Sequence, residues 1–579
     1  MINLSNPPIQ VAFVCGGLLA AVYLLRRAAL PRPHADIPYN KDAAAKVFGD
    51  VPEMMRYVMR HKQIFCWLTS LTKRHRSPIV QVFIKPMSLP WVVVTDPHES
   101  QDILLRRTRE FDRSAFFGEL VGGILPEQHI SFLSTDARFK NNRALINHLM
   151  APSFIRDISG PAMYKSVCTL MKLWRAKCAA ADGRPFSAHQ DITFWALDSI
   201  FASSFGLQES DSNTVRRLHA VKQSENGKIL TGVDGTITFP EGEVPDIFHA
   251  VLTLSNSVTD TQLSPAPALT SWILRKLPYM RRATAVKDAW IHARTEESIE
   301  LLERDPDTEV RNALHSVLLR ERDIAAKNNR PAAYRKRAIA DEFFGFMVAG
   351  HDTTATTVAW GMKFLADHPH AQQRLRKDLR AAFPAAPAEK RAPVYSELVS
   401  AQLPYLDAVV DEILRHANTI AFVVRTAQVD TVVLGKCIPK GTDVFLMANG
   451  AGYIEPAIAI DDDVRSPGAR RTETSKGLTG DWDNSDLHEF KPERWLNIDP
   501  VTGVETFEPM AGPSLAFGLG SRACFGRRLA LQSLRVHFAM TVWHFNLLKV
   551  SSELSTYNAV QRFAREPTHC SIRLRPADP

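Results

Sequence analysis

The chain has 579 residues, 45% of them hydrophobic and 23% charged, which excludes a disordered or fibrous chain and provides for a large core. Its formal net charge of +8 comes from 70 basic and 62 acidic residues spread along the sequence, so it gives no evidence for nucleic acid and fits an anionic membrane surface or an acidic partner. The 7 cysteines, at 15, 66, 168, 178, 437, 524 and 570, lack metal-type spacing and fit a reducing compartment better than a disulfide framework.

In chain order, residues 1–8 form a short lumenal tail. Residues 9–25, IQVAFVCGGLLAAVYLL, are apolar apart from Gln10 and are followed by Arg26 and Arg27. A cleavable signal peptide carries its charge before the apolar run; here the charge follows, and Pro31 and Pro33 come next. The segment therefore predicts a single transmembrane signal anchor, at the short end of the ~17–25 residues a bilayer needs, with the bulk of the protein on the cytosolic side. Residues 26–40 make a basic, proline-bearing linker, and 41–579 one globular domain.

Ile79–Ile84 and Trp91–Thr95 predict paired strands. From Asp136 to about Phe383 the periodicity is helical, as in Ala371–Arg380. Strand signals return at Thr431–Leu434 and Val444–Met447. Residues 455–486 mix an acidic run, Asp461–Asp463, with Arg470, Arg471 and many Ser, Thr, Gly and Pro; this composition predicts a mobile surface insertion that buries little.

The most informative stretch is Phe517–Gly526, FGLGSRACFG, leading into the amphipathic run Arg527–Leu534. Gly518, Gly520 and Gly526 suit a tight loop that approaches a flat partner closely. A cysteine at a helix N-terminus is favoured as thiolate, and a thiolate suits axial ligation of haem iron. An isolated Gly-x-x-x-Cys is more often a buried cysteine in a turn; the ordered set Phe517, Gly520, Arg522, Cys524 and Gly526 favours haem.

That set matches every fixed position of Phe-x-x-Gly-x-Arg-x-Cys-x-Gly and resembles the cytochrome P-450 superfamily. The resemblance implies Cys524 as the iron ligand and Arg522 as partner of a haem propionate. Phe343–Thr354, an apolar helix interrupted by Gly345 and Gly350, looks like the family's oxygen-binding helix. Each glycine costs about 1 kcal/mol against alanine, so close helix packing or close approach to a flat cofactor must explain it, and the Asp352–Thr353 pair favours the cofactor. A threonine hydroxyl bonded back to a carbonyl one turn earlier also bends a helix. By resemblance, Thr353 steadies the activated oxygen and Asp352 helps relay protons.

Leu403–Arg415 resembles the family's Glu-x-x-Arg helix, and Phe490–Leu496 its Pro-Glu-Arg-Trp element; the resemblance implies a buried triad of Glu412, Arg415 and Arg494. Arg143, in a Phe139-x-x-x-Arg143 version of the family's Trp-x-x-x-Arg helix, and Arg425 are further candidates for the propionates or ordinary solvated charges. Asn418 and Thr419 replace prolines common after Glu-x-x-Arg.

The resemblance implies a mainly α fold with a small β subdomain, with haem b between the oxygen-binding helix and the cysteine loop. It further implies a monooxygenase that puts one atom of O2 into a substrate, with electrons from NADPH through a separate flavoprotein, the NADPH–cytochrome P-450 reductase, at the endoplasmic reticulum membrane. Apolar residues of segments that resemblance places over the haem (Phe116, Phe117, Leu120, Ile124, Leu125, Ile420, Phe422 and Val423) imply a lipophilic small-molecule substrate of secondary metabolism. A haem-thiolate isomerase or dehydratase acting on a peroxide, and a non-catalytic haem carrier, are the alternatives; the Asp352–Thr353 pair speaks against both.

Overall fold

Val- and Ile-rich runs far apart in sequence meet in one sheet of the computed structural model, which describes residues 7–224, 230–232, 235–264, 266–470 and 479–577. They fall in the first of two units, residues 1–112, 422–452 and 457–476. Ile79–Val82 pairs antiparallel with Trp91–Val94, as expected, in the register Ile79 to Val94. Trp91–Val94 runs parallel to Asp443–Met447, which pairs antiparallel with Phe422–Ala427, and Phe111–Arg113 closes the edge. Val80, Val82, Val92 and Val93 are all buried, so the strands read as continuous apolar runs instead of alternating. The expected strand at 431 also forms, but Thr431–Val433 pairs with Lys436–Ile438, a strand the sequence reading lacked.

The basic linker ends in this unit. Gln81, itself buried, donates to the carbonyls of His34 at 2.9 Å and Ile37 at 2.7 Å. Upstream, one helix runs Pro7–Ala29 and covers the expected anchor. Its 23 residues rise about 35 Å, but the side chains of residues 7–10 and 12–14 lie outside the described set. Among the described residues no helix is long and apolar enough to cross a membrane.

The segment expected as an insertion at 455–486 is mostly exposed or half-buried among its described residues, but it is tied down at two points. Arg465 pairs with Asp96 at 2.7 Å, Ser466 Oγ donates to Asp102 at 2.7 Å, and Ala469 is buried, all within the first unit. In the second unit Trp482 is buried and meets Trp495 edge-on at 4.8 Å. Polar composition concealed these two anchors; residues 471–478 lie outside the described set.

The second unit, residues 113–421, 453–456 and 477–579, is helical. Its centre is the 31-residue helix Arg337–Asp367, buried nearly all round through Phe343, Phe344, Met347, Val358, Trp360 and Leu365. The surrounding core draws Trp174, Trp195, Val409 and Phe538 from the helices Gly160–Ala181, His189–Phe205, Pro404–Ala417 and Arg527–His544. A hairpin, Ala559–Gln561 with Arg565–Pro567, carries residues 562–564 at its tip.

Candidate functional site

Backbone bonds hold the cysteine loop in shape. Cys524 N–H donates to Phe517 O at 2.7 Å, and Ala523 N–H to Gly520 O at 3.1 Å. Gly518 and Gly520 sit at φ 61° and 74°, in the left-handed region where a side chain is strained. Gly526 differs from the expectation: its φ is −81°, ordinary for any residue, and a Cβ there meets nothing within 4 Å. Open space, not backbone strain, distinguishes it.

The Cys524 thiol is crowded by protein, and the residue is nevertheless accessible. Burial pushes this thiol up, against the Gly526 N–H, Arg527 and Arg143. The helix that begins at Arg527 therefore does not by itself make the thiolate that the sequence reading expected; a bound metal cation deprotonates such a thiol outright.

Two cations converge on this loop. Arg522 donates from Nη2 to Phe132 O at 2.6 Å, and its guanidinium lies 4.0 Å from the Phe139 ring centroid. Phe139 thus replaces the family's tryptophan as an aromatic platform without its N–H. Arg143, on the helix Ala137–Ile146, lies 4.4 Å over Phe525, the residue after the cysteine. It is half-buried and makes no hydrogen bond or ion pair among the described residues. An accessible thiol within the fold, open space at Gly526 and a half-buried guanidinium that calls for an anion fit a flat, carboxylate-bearing iron cofactor. Arg425 is buried in the strand Phe422–Ala427 of the first unit, where Nη1 donates to Val424 O at 2.9 Å.

The central helix runs unbroken through Asp352 and Thr353. Thr353 Oγ1 donates to Ala349 O at 2.7 Å, the one-turn-back bond anticipated above. Ala349 is exposed although Met347 and Val348 beside it are buried, so this face of the helix is accessible. Of the two explanations offered for the glycines, the structure shows close packing: a Cβ at Gly345 would come within 2.5 Å of the Gln128 side chain and one at Gly350 within 2.9 Å of that of Ile200. Burial pushes the Asp352 carboxyl up to about 6, against Arg562 and the Ala564 N–H. Its Oδ2 is buried with no partner among the described residues.

The Glu412 triad forms as expected. Arg415 holds both carboxylate oxygens at 2.8 Å, Arg494 Nε reaches Oε1 at 3.2 Å and Trp495 Nε1 reaches Oε2 at 2.9 Å. Burial alone would raise the Glu412 carboxyl, but the hydrogen bonds of Arg415 and His416 override it and hold it well below its usual range.

Sequence reasoning missed two networks. Buried Glu342 accepts from His129 N–H at 2.7 Å and Asn142 Nδ2 at 2.9 Å, and meets His129 Nδ1 at 2.7 Å, tying the central helix to the segment before Arg143. An acid at the head of an apolar run was the available signal. Thr357 and Thr419 hydroxyls meet at 3.0 Å, one turn beyond Thr353, which gives the loop after Glu-x-x-Arg its contact with the central helix.

A family model described as "Cytochrome P450" matches residues 46–454 and 482–572. Among curated relatives, "Cytochrome P450 monooxygenase TRI13" of Fusarium sporotrichioides is 35% identical over 97% of this chain and 98% of its own length. "Cytochrome P450 monooxygenase GME11363" of Pestalotiopsis microspora is 35% identical over 99% of each. Among solved structures, the "Crystal structure of cytochrome P450DA heme domain" aligns with TM-score 0.65 at 16% identity, covering 95% of this chain and 99% of that one.

Proposed function

We propose that this chain, which belongs to the cytochrome P450 family and is a monooxygenase, inserts one atom of O2 into a lipophilic small molecule of secondary metabolism at a haem b ligated by Cys524. The observation that carries the assignment is the Cys524 thiol: crowded by the fold, still accessible, and followed by Phe525, over which the half-buried guanidinium of Arg143 lies. Bound haem supplies the activation and cleavage of O2, which a thiolate ligand favours.

The chain's own groups do the rest. Arg143 and Arg522 would hold the haem carboxylates, for which planar, permanently charged guanidinium is suited; Arg425, in the first unit, is a separate candidate for the same role. Gly520 and Gly526 would leave room for the cofactor beside the loop that Phe517 begins. Thr353 presents its hydroxyl at Oγ1 on the accessible face of the central helix, and Asp352, with a carboxyl poised near neutral pH, passes protons toward it. Buried Phe116, Leu120, Ile124 and Leu125 support an apolar substrate, and the fungal origin of the relatives supports specialised metabolism.

Electrons come from NADPH through the flavoprotein reductase. Residues 9–25 anchor the chain once in the endoplasmic reticulum membrane, with the catalytic part on the cytosolic side. Exposed Leu18, Leu19, Val22 and Leu25 and the basic pair Arg26 and Arg27 support this reading.

Carbon monoxide tests the ligand. The reduced protein is expected to show the red-shifted Soret band of thiolate-ligated haem, and Cys524→Ser to lose it. Retention of that band in Cys524→Ser removes Cys524 from the iron.

A further inference from the structure

A cavity of about 210 Å3 opens beside Asp352 in the second unit. The central helix contributes Asp352, the helix Asp246–Gln262 contributes Ser255 and Thr259, the start of the helix His189–Phe205 contributes His189, and the 559–567 hairpin contributes Arg562 and Glu566. Three buried polar atoms of this lining, Asp352 Oδ2, Ser255 Oγ and Thr259 Oγ1, have no hydrogen-bond partner among the described residues. Polar atoms of this kind, around a space several times the ~30 Å3 share of one liquid water, are satisfied by water. The far end reaches the surface: His189 is exposed and the Arg562 side chain is 48% exposed, while Glu566 is buried and ion-paired to Arg562 at 3.4 Å.

We propose that this cavity is the proton inlet of the monooxygenase, in which Glu566 passes protons from surface water at His189 and Arg562 to Asp352. Each turnover combines the substrate C–H, O2, two electrons and two protons into C–OH and water. The flavoprotein reductase supplies the electrons and the inlet carries the protons. Glu566 is a positioning group that acts through Asp352 and touches neither substrate nor haem.

The charges around the cavity support a relay. Burial raises the Glu566 carboxyl, Arg562 opposes that, and Asp352 adds repulsion. Two neighbouring carboxyls that resist simultaneous ionisation keep a proton on one of them. The His189 ring is enclosed by protein, which lowers its pKa, yet it opens to water; Glu566 attracts its proton and Arg562 repels it. His351, the other titratable group facing the cavity, is buried and held neutral near neutral pH by a pKa lowered to about 4, with Nδ1 meeting Met347 O at 2.6 Å. The helix Asp246–Gln262 offers only Ser255, Asn256 and Thr259 as polar groups there.

The inlet rests on the assignment of Asp352 and Thr353 to proton transfer, and the test separates the two. The full-length haem protein with reductase is assayed in H2O and D2O as Glu566→Gln and as Ser255→Leu, which fills the cavity without touching an ionisable group. Both variants are expected to form about tenfold less product per NADPH consumed, with a larger solvent isotope effect. A readout without turnover is infrared titration of the resting protein: the protonated-carboxyl band of Asp352, identified by its loss in Asp352→Asn, shifts to lower pH in Glu566→Gln. Coupling and isotope effects within twofold of the parent in both variants, or an unmoved Asp352 titration, overturn the inlet. If Thr353→Ala uncouples turnover while both cavity variants do not, only the inlet falls. If Thr353→Ala and Asp352→Asn stay coupled as well, the relay assignment falls with it.

Discussion

Asp411 illustrates how the fold sets the chemistry of one side chain. Burial pushes its carboxyl up to about 7 against the attraction of Arg527, and Asp407 and Glu412 add repulsion. The folded state therefore binds this proton more tightly than the unfolded chain, whose Asp titrates near 3.9. The resulting stability is fully present below that value and is lost as pH rises through about 7. Asp411→Asn mimics the neutral acid, so it is expected to be near neutral at about pH 3 and to stabilise by about 4 kcal/mol at about pH 8, where the full gap between the two pKa values is expressed. Thermal melts of both proteins at the two pH values check this; equal shifts at both remove Asp411 as the titrating group. At this scale the sequence was legible where spacing carried the message, as at Phe517, Gly520, Arg522 and Cys524. It offered packing at Gly345 and Gly350 but could not name the neighbours, because the Gln128 and Ile200 side chains they meet come from distant segments.

Elements behave as tied pairs more than as separate helices. Glu412 accepts from Trp495, which meets Trp482, and the Arg494 guanidinium lies 5.3 Å from the Trp482 ring while also binding Asp486 at 2.9 Å. A segment that reads as solvated loop therefore covers one side of the buried triad. Trp482→Ala is expected to cost about 3–5 kcal/mol through the cavity it leaves, and to loosen Arg494 from Glu412. Denaturant titration together with haem content measures both; a loss under about 1 kcal/mol returns the segment to the solvated loop its composition described. Periodicity and turn residues made the helices and the strands at 79, 91 and 444 legible. They could not reveal this packing, because a tryptophan among Asp, Asn and Gly carries no periodic signal.

For the whole molecule, the fold class followed from motif order along the chain. The division into two units did not, since it depends on residues 422–452 returning to the strands near the N-terminus, and Asp443–Met447 lying parallel to Trp91–Val94 is a pairing no local pattern predicts. In the second unit, Arg527 and Arg528 open the helix after the cysteine loop, and Lys140 lies on the helix that carries Arg143; all three are exposed. Arg528 donates only to Met150 O, at 3.2 Å, which leaves its charge uncompensated by any carboxylate among the described residues. An acidic electron donor would meet these cations at the side of the ligand loop, where they steer encounter and fix orientation. Such pairing is screened beyond about 8–10 Å at physiological salt. Arg528→Glu is therefore expected to slow the first electron transfer about tenfold at low salt and to fall within twofold of the parent at high salt. Stopped-flow reduction under carbon monoxide reads this step directly, with haem content as the control for folding. An unchanged rate at low salt, with haem content normal, assigns the docking surface to another face.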